Sequence, residues 1–210
     1  MSGALWSLPE SHLKTLTELG VARTSPKNAI IISVGDRADT MYIIQSGRVK
    51  VYLSDEAGKE ILLRVMGPGE YFGELVLDDG ARSANVMTLE QCKFSIVTID
   101  QFRAFIGKDP GAAFELIKSY AGRIRELTRQ IGDLALLDVY GRVARLLLDL
   151  ATEENGKMMV PEKLTQQDIA SRVGCSREMI SRILKDLRAG GYVQTEGERM
   201  IIAKKPPRAW

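Results

Sequence analysis

Residues 165–187 read TQQDIASRVGCSREMISRILKDL, and this stretch decides the architecture. Thr165-Gln166-Gln167-Asp168 is a helix start of the capping-box kind, with Asp where Glu or Gln is usual. Ile169, Ala170 and Val173 then recur on one helical face. Gly174 stands where two helices must turn sharply, because glycine enters the left-handed region without a Cβ penalty. Ser176 can cap a second helix through its hydroxyl. Ile180, Ile183, Leu184 and Leu187 give that helix a buried side, and small Ala170 lets the two helices cross closely. Two helices joined by a short Gly-containing turn form a helix-turn-helix.

The other face of the second helix carries Arg177, Glu178, Ser181, Arg182 and Lys185. Arginine can donate two hydrogen bonds to O6 and N7 of guanine, and glutamate can accept one from N4 of cytosine. The first two turns of a recognition helix are where base edges are met. A plain helical hairpin with a solvated face would share the charges, but would not need the cap, the turn glycine and the base-reading chemistry at once.

Downstream, Tyr192–Thr195 and Met200–Ala203 flank Glu196-Gly197-Glu198-Arg199 and read as a β-hairpin wing. Upstream, Val139–Thr152 reads as a helix with Val143, Leu146, Leu147 and Leu150 inward. Asn155-Gly156 is a turn signal, followed by a short strand at Met158–Val160. Leu137-Asp138-Val139 reads as a hinge. Before it, Asp109-Pro110 opens a long helix, with proline at the first helical position. Three heptads run along that helix: Ile117, Ile124 and Ile131 hold one seam position, and Tyr120, Leu127 and Leu134 the other. Branched residues at the first position with leucine at the second favour a parallel two-stranded coiled coil, hence a homodimer. The alternative is an amphipathic helix packed on its own domain.

The N-terminal half has another texture. An opening helical segment within residues 1–20 places Leu13, Leu16 and Leu19 on one face. Short β-rich runs follow at Ala29–Val34, Met41–Gln45, Arg48–Leu53, Glu60–Val65 and Lys93–Val97, punctuated by glycines at roughly ten-residue steps. Asp55-Glu56-Ala57-Gly58 is a hairpin tip. The pattern predicts a small antiparallel barrel or roll. The fold class expected is therefore α+β: an N-terminal β-roll over residues 1–108, a dimerisation helix and hinge over 109–138, and a winged helix-turn-helix over 139–210.

Composition narrows the function classes. The 210 residues carry a net charge of only +2. From Val139 onward, however, there are 13 Lys+Arg against 9 Asp+Glu, whereas residues 1–138 hold 16 against 18. A basic C-terminal third suits a polyanionic partner. The two cysteines, Cys92 and Cys175, form no CxxC pair, and His12 is the only histidine. A disulfide framework, a zinc site and a His-based triad are thereby disfavoured. With no Walker loop or nucleophile–base pair either, an enzyme is not expected. No run reaches the ~18 apolar residues of a membrane span, and the start MSGALWSLPESH lacks the features of a signal peptide. A cytoplasmic protein without a membrane partner is expected.

Three segments together resemble the cyclic-AMP receptor protein family, the CRP/FNR regulators, over nearly the whole chain. GDRADTMYIIQSGRVKVYLSDEAGKEILLRVMGPGEYFGEL, residues 35–75, is similar to the family's cyclic-nucleotide β-roll. GDLALLDVYGRVARLLLDLA, residues 132–151, resembles its dimer-helix end, hinge and following helix. The stretch at 165–187 is similar to its helix-turn-helix. The resemblance implies a homodimer on palindromic double-stranded DNA and contact with RNA polymerase. It also implies that Arg177, Glu178 and Arg182 read bases in the manner of the branch recognising TGTGA-type half-sites. Ser181 before Arg182 also fits the branch recognising TTGAT-type half-sites. Thr165, Gln166 and Ser176, with Lys185, would touch phosphates and fix register.

The resemblance further implies an effector site. Phe72-Gly73-Glu74-Leu75 followed by Arg82-Ser83-Ala84 is similar to the family's phosphate-binding cassette. Gly73 would let backbone approach a phosphate, and a short helix from Glu74 would present N–H groups. Arg82 would supply charge and a donor fork, Ser83 a hydroxyl, and Glu74 an acceptor for a ribose 2′-hydroxyl. Cyclic AMP is the expected effector and cyclic di-GMP the alternative, with nothing tightly bound. Two departures stand out. The stretch from Glu74 to Arg82 is shorter than in the best-known cyclic-AMP responder, and the adenine-contacting Thr-Ser pair is here Leu127-Thr128, of which only Thr128 can hydrogen-bond a base. Leu127 completes the seam instead, which suits a dimer helix formed without ligand. The family's iron–sulfur and haem sensors are set aside, since the N-terminal cysteines and the roll histidine they need are missing. A nucleotide-binding module of a kinase or channel is the reading from another class, and it would have no use for the helix-turn-helix.

Overall fold

Period-two alternation organises the N-terminal half around one central pair of strands. The structure, a computed structural model, describes residues 8–206 apart from 59, 79, 155, 162 and 198, and not the side chains of residues 76 and 78. In chain order come α1 (Glu10–Leu19), β1 (Val21–Ser25), β2 (Ile30–Ile32), β3 (Thr40–Ser46), β4 (Val49–Ser54), β5 (Glu60–Met66) and β6 (Tyr71–Phe72). A 3-10 turn (Glu74–Asp78), β7 (Asn85–Thr88), β8 (Cys92–Thr98), α2 (Ile99–Lys108) and the long α3 (Pro110–Leu136) follow. The last part is α4 (Val139–Leu150), β9 (Thr152–Glu154), β10 (Lys157–Val160), α5 (Gln166–Val173), α6 (Arg177–Ala189), β11 (Val193–Glu196) and β12 (Arg199–Ile202).

Two four-stranded sheets, β1-β8-β3-β6 and β2-β7-β4-β5, make the expected roll. In β3, Tyr42 and Ile44 pack with Phe72, Phe94, Val49 and Val86 of the layer between the sheets. Met41 and Ile43 point the other way, to Leu16, Phe102, Phe105 and Leu116 of the helices. The antiparallel partner β8 repeats this, with Phe94 and Ile96 on one side and Val97 on the other. Ser95 shares the helix-facing side and donates from Oγ to the Thr17 carbonyl at 2.9 Å. The five strands read from the sequence are present, and Gly58 closes the tip by donating to the Asp55 carbonyl at 3.0 Å with φ of 78°. Strands β1, β6 and β7 were not expected. On α1, Leu16 is fully buried and Leu13 half-buried, but Leu19 is exposed, so the apolar face is narrower than its leucine spacing suggests.

Asp109 prepares the long helix: its Oδ1 accepts from Gly111 N at 2.9 Å and Ala112 N at 3.3 Å, and Pro110 takes the first helical position as predicted. Helix α4 begins where Asp138 Oδ1 accepts from Gly141 N at 2.7 Å. It ends at Leu150, not Thr152, because Thr152 has joined β9 in the sheet β11-β12-β10-β9. Val143 and Leu147 are buried as expected; Leu146 and Leu150 are half-buried at the edge of the core, and Tyr140 and Ala144 complete the buried face. The turn glycine Gly156 has φ of 74°, while Asn155 lies outside the described residues. The wing hairpin pairs Val193–Glu196 with Arg199–Ile202 around Gly197 at φ of 61°; Glu198 of the predicted tip also lies outside the described residues.

The chain divides into two compact units, Met1–Gly58 with Leu62–Leu127, and Lys59–Ile61 with Thr128–Trp210. Among the described residues, no helix is long and apolar enough to cross a membrane.

Candidate nucleic-acid interface and anion cradle

The helix-turn-helix is built from local signals. Thr165 Oγ1 accepts from Asp168 N at 3.1 Å while Asp168 Oδ2 accepts from Thr165 N at 2.8 Å, a complete capping box. Helix α5 ends at Gly174 in the left-handed region, φ of 73°, and the N–H groups of Gly174 and Cys175 both donate to the Ala170 carbonyl, at 2.9 and 3.1 Å. Ser176 Oγ accepts from Met179 N at 3.3 Å and starts α6. Ile169, Ala170 and Val173 of α5 and Ile180, Ile183, Leu184 and Leu187 of α6 are buried in one core with Val143, Leu147, Val160 and Val193.

With that face fixed, α6 turns Arg177, Glu178, Ser181, Arg182 and Lys185 to the exterior. The Glu178 carboxyl is held below the usual carboxylate range by its own backbone N–H, then by the Ser176 hydroxyl and the charges of Arg177 and Arg182. It therefore stays an anionic acceptor at neutral pH. Of the residues the resemblance assigns to phosphates, Ser176 and Thr165 are exposed at the two helix starts and Gln166 is half-exposed beside Thr165.

In the N-terminal unit the predicted cassette is partly assembled. Arg82 is buried, and its Nη1 donates to the Gly73 carbonyl and its Nη2 to Thr40 Oγ1, each at 3.1 Å. Gly73 has φ of 81°, and a Cβ there would lie 2.8 Å from Arg82 Nη1 and 3.0 Å from the Thr40 carbonyl. The left-handed backbone and the close Thr40 carbonyl thus favour glycine at this position. Arginine carries five N–H donors, so two bonds to the chain leave others for an anion. The residues fit a phosphodiester on this count. Glu74 is buried too, but it ion-pairs with Arg123 of α3, which sequence reasoning missed. The helix expected from Glu74 is a 3-10 turn of five residues. Leu75 and Ser83 are exposed beside the cradle, and Thr128 is exposed on α3 in the second unit. Arg123 could have been suspected as the one charge on a helical face otherwise made of Ala112, Leu116, Ser119 and Gly122.

The heptad seam lies open on the single chain. Ile117, Ile124 and Ile131 are 61%, 63% and 66% exposed, and Leu127 and Leu134 are exposed as well. Tyr120 differs, being half-buried against Leu116 and its neighbours with the Arg123 guanidinium 5.4 Å from its ring. Among the described residues, no cluster of three or more His, Cys, Asp and Glu could hold a metal ion.

Residues 22–109 match the cyclic nucleotide-binding domain, and residues 141–208 match the Crp-like helix-turn-helix domain. The chain is 36% identical over 200 residues to the cAMP-activated global transcriptional regulator Vfr of Pseudomonas aeruginosa, covering 91% of this chain and 93% of that one. It is 33% identical over 207 residues to a CRP-like cAMP-activated global transcriptional regulator of Mycobacterium tuberculosis, covering 96% and 92%. Among solved structures, the c-di-GMP responsive global regulator CLP of Xanthomonas campestris superposes with a TM-score of 0.78 at 26% identity, over 92% of this chain and 99% of that one.

Proposed function

Because this chain belongs to the CRP/FNR family of DNA-binding transcription regulators, we propose that it acts as a homodimer whose two helix-turn-helix units read a palindromic operator under control of a small cyclic nucleotide. The observation that carries the reading is the outward face of α6, where Arg177, Glu178, Ser181 and Arg182 follow the Ser176 cap while the opposite face is buried. Arg177, Glu178 and Arg182 read base edges, with TGTGA-type half-sites favoured over the TTGAT-type that Ser181 would also fit. Thr165, Gln166, Ser176 and Lys185 hold phosphates. RNA polymerase is the further partner, and the cytoplasm the location.

Cyclic AMP is the effector we favour, since the relatives from Pseudomonas aeruginosa and Mycobacterium tuberculosis are named as cAMP-activated. The phosphodiester would rest on Gly73 and Arg82, with Leu75 and Ser83 at the rim. Glu74 and Thr128 would serve the ribose and the base. Cyclic di-GMP is the alternative, supported by the Xanthomonas regulator. A ligand-independent form of the same regulator is supported by another observation: Arg82 and Glu74 already have partners within the chain.

The domain plan has the sensor over residues 1–108, the dimer helix over 109–138 and the DNA-binding domain over 139–210. Ligand bound more tightly by one orientation about Leu137–Val139 shifts the population toward it. A ligand bound equally by both would shift nothing. In the favoured state the two recognition helices sit about 34 Å apart, one helical turn of DNA. Titrating the purified chain against duplexes selected from a random pool, with and without cyclic AMP or cyclic di-GMP, tests the reading. It is overturned by a monomer indifferent to duplex sequence under all these conditions.

A further inference from the structure

Arg142 lies in the first turn of α4, beyond the Asp138 cap, and its side chain is half-buried. Its Nε donates to the Val173 carbonyl at 3.0 Å, and its Nη1 donates to the Leu137 carbonyl at 3.0 Å. The two acceptors sit at structurally decisive points. Val173 is the last residue of α5, next to the left-handed Gly174 that turns the chain toward the recognition helix. Leu137 directly follows the last residue of α3.

Both carbonyls belong to helix C-termini, where the last C=O groups have no partner within the helix. At the end of α5 the next two N–H groups converge on the Ala170 carbonyl instead. A cation is favoured at such an end by the helix dipole. Arginine adds what lysine cannot, a planar rigid fork whose donors hold two acceptors in a fixed relation. Arg142 therefore locks the peptide after the long helix to the turn before α6. A second tie runs in parallel, with Arg129 Nη1 of α3 donating to Asp149 Oδ2 of α4 at 2.9 Å.

We propose that Arg142 is a positioning residue that transmits the state of the chain at Leu137 to the recognition helix. It is distinct from the exposed face of α6 and from the Gly73–Arg82 cradle. If the peptide at Leu137 rotates, the guanidinium must either release it or carry Val173 and Gly174 along. Releasing it leaves the Leu137 carbonyl, at a helix end, to find another donor, so the coupled movement is favoured. This proposal rests on the reading of the protein as a ligand-controlled DNA binder.

The test measures a ratio in the full-length protein: affinity for a selected duplex with saturating cyclic AMP over affinity without it, and likewise with cyclic di-GMP. Wild type should show a coupling factor of about 5–150-fold with one of the two, and linkage requires the duplex to raise affinity for that nucleotide by the same factor. In Arg142→Gln both factors should fall toward one, while base preference and nucleotide affinity without DNA stay at wild-type values. Arg142→Lys keeps the charge without the fork and should fall between. A domain merely weakened by the substitution would lose DNA affinity equally in both states and keep its ratio. A wild-type ratio in Arg142→Gln overturns the proposal and leaves the regulator reading intact. Should that variant fail to fold, Arg142→Lys decides alone, an unaltered ratio overturning the proposal and a reduced one supporting it. A wild-type factor of one with both nucleotides overturns control by these nucleotides and the proposal together, whereas only a monomer indifferent to duplex sequence overturns the regulator reading.

Discussion

Arg123 of the long helix and Glu74 of the 3-10 turn form a buried ion pair that fastens α3 to the edge of the anion cradle. The guanidinium also lies 4.8 Å from the Tyr71 ring. Removing one partner of such a pair leaves an uncompensated buried charge, at a cost of about 3–5 kcal/mol. Arg123→Leu should therefore lower the stability of the N-terminal unit by that order. The double variant Arg123→Leu with Glu74→Leu should recover part of the loss. Chemical denaturation of the three proteins checks this, and a single variant as stable as wild type contradicts it.

Tyr71 offers a pH handle on the same corner. Burial pushes its phenol above the ordinary range, against the lowering influence of Arg123 and of Ser119, whose Oγ accepts the Tyr71 hydroxyl at 3.2 Å. The folded state thus prefers the protonated phenol. Its contribution is complete below the unfolded value of about 10 and is lost as pH rises above it toward the folded value. Melting curves should fall more steeply through alkaline pH for wild type than for Tyr71→Phe. Equal slopes would mean that the phenol is not protected by the fold.

Arg82→Leu removes the charge and fork beneath the expected phosphodiester, and also the bonds to the Gly73 carbonyl and Thr40 Oγ1. Losing one member of a buried charged contact weakens binding by about 2–5 kcal/mol. Calorimetry with cyclic AMP should show that loss, and the DNA response to nucleotide should vanish with it. A retained response would make the cradle vestigial.

What could be read from the sequence was whatever is decided locally. Thr165, Asp168, Gly174 and Ser176 cap and turn their own helices within four residues, so the helix-turn-helix is present residue for residue as read. The strands with alternating apolar residues, such as β3, were equally clear. Strand β1 escaped notice because Val21 to Thr24 are all exposed and carry no alternation, and β6 because it has only two residues. The cradle was half legible. Gly73 and Arg82 lie in a recognisable run, but the partner of Glu74 stands 49 residues away and no periodicity announces it. Similarly, the clip from Arg142 to Val173 spans 31 residues and joins side chain to backbone, a contact that leaves no mark in the pattern.

On α6, Arg177→Ala or Arg182→Ala should each reduce operator affinity by about 1–3 kcal/mol and relax the preference at one position of each half-site. Lys185→Ala should instead weaken all duplexes alike and reduce the salt dependence of binding. Selection from random duplexes followed by salt titration separates the two behaviours. Unchanged selectivity in both arginine variants would refute their base-reading assignment.

The seam can be tested without touching either site. Ile124 and Ile131 are 63% and 66% exposed on the single chain, so a charge there can stay in water and does little to a monomer. In a two-stranded coil the same charge would face its copy across the axis, losing the buried apolar contact and adding repulsion. Ile124→Glu and Ile131→Glu should therefore give folded monomers in sedimentation, with melting points close to wild type. Each half-site would then be bound by one recognition helix alone, and affinity for the full palindrome should collapse toward that for a half-site. A dimer surviving both substitutions would show that the heptads serve some other contact and that the pairing of subunits lies elsewhere on the chain.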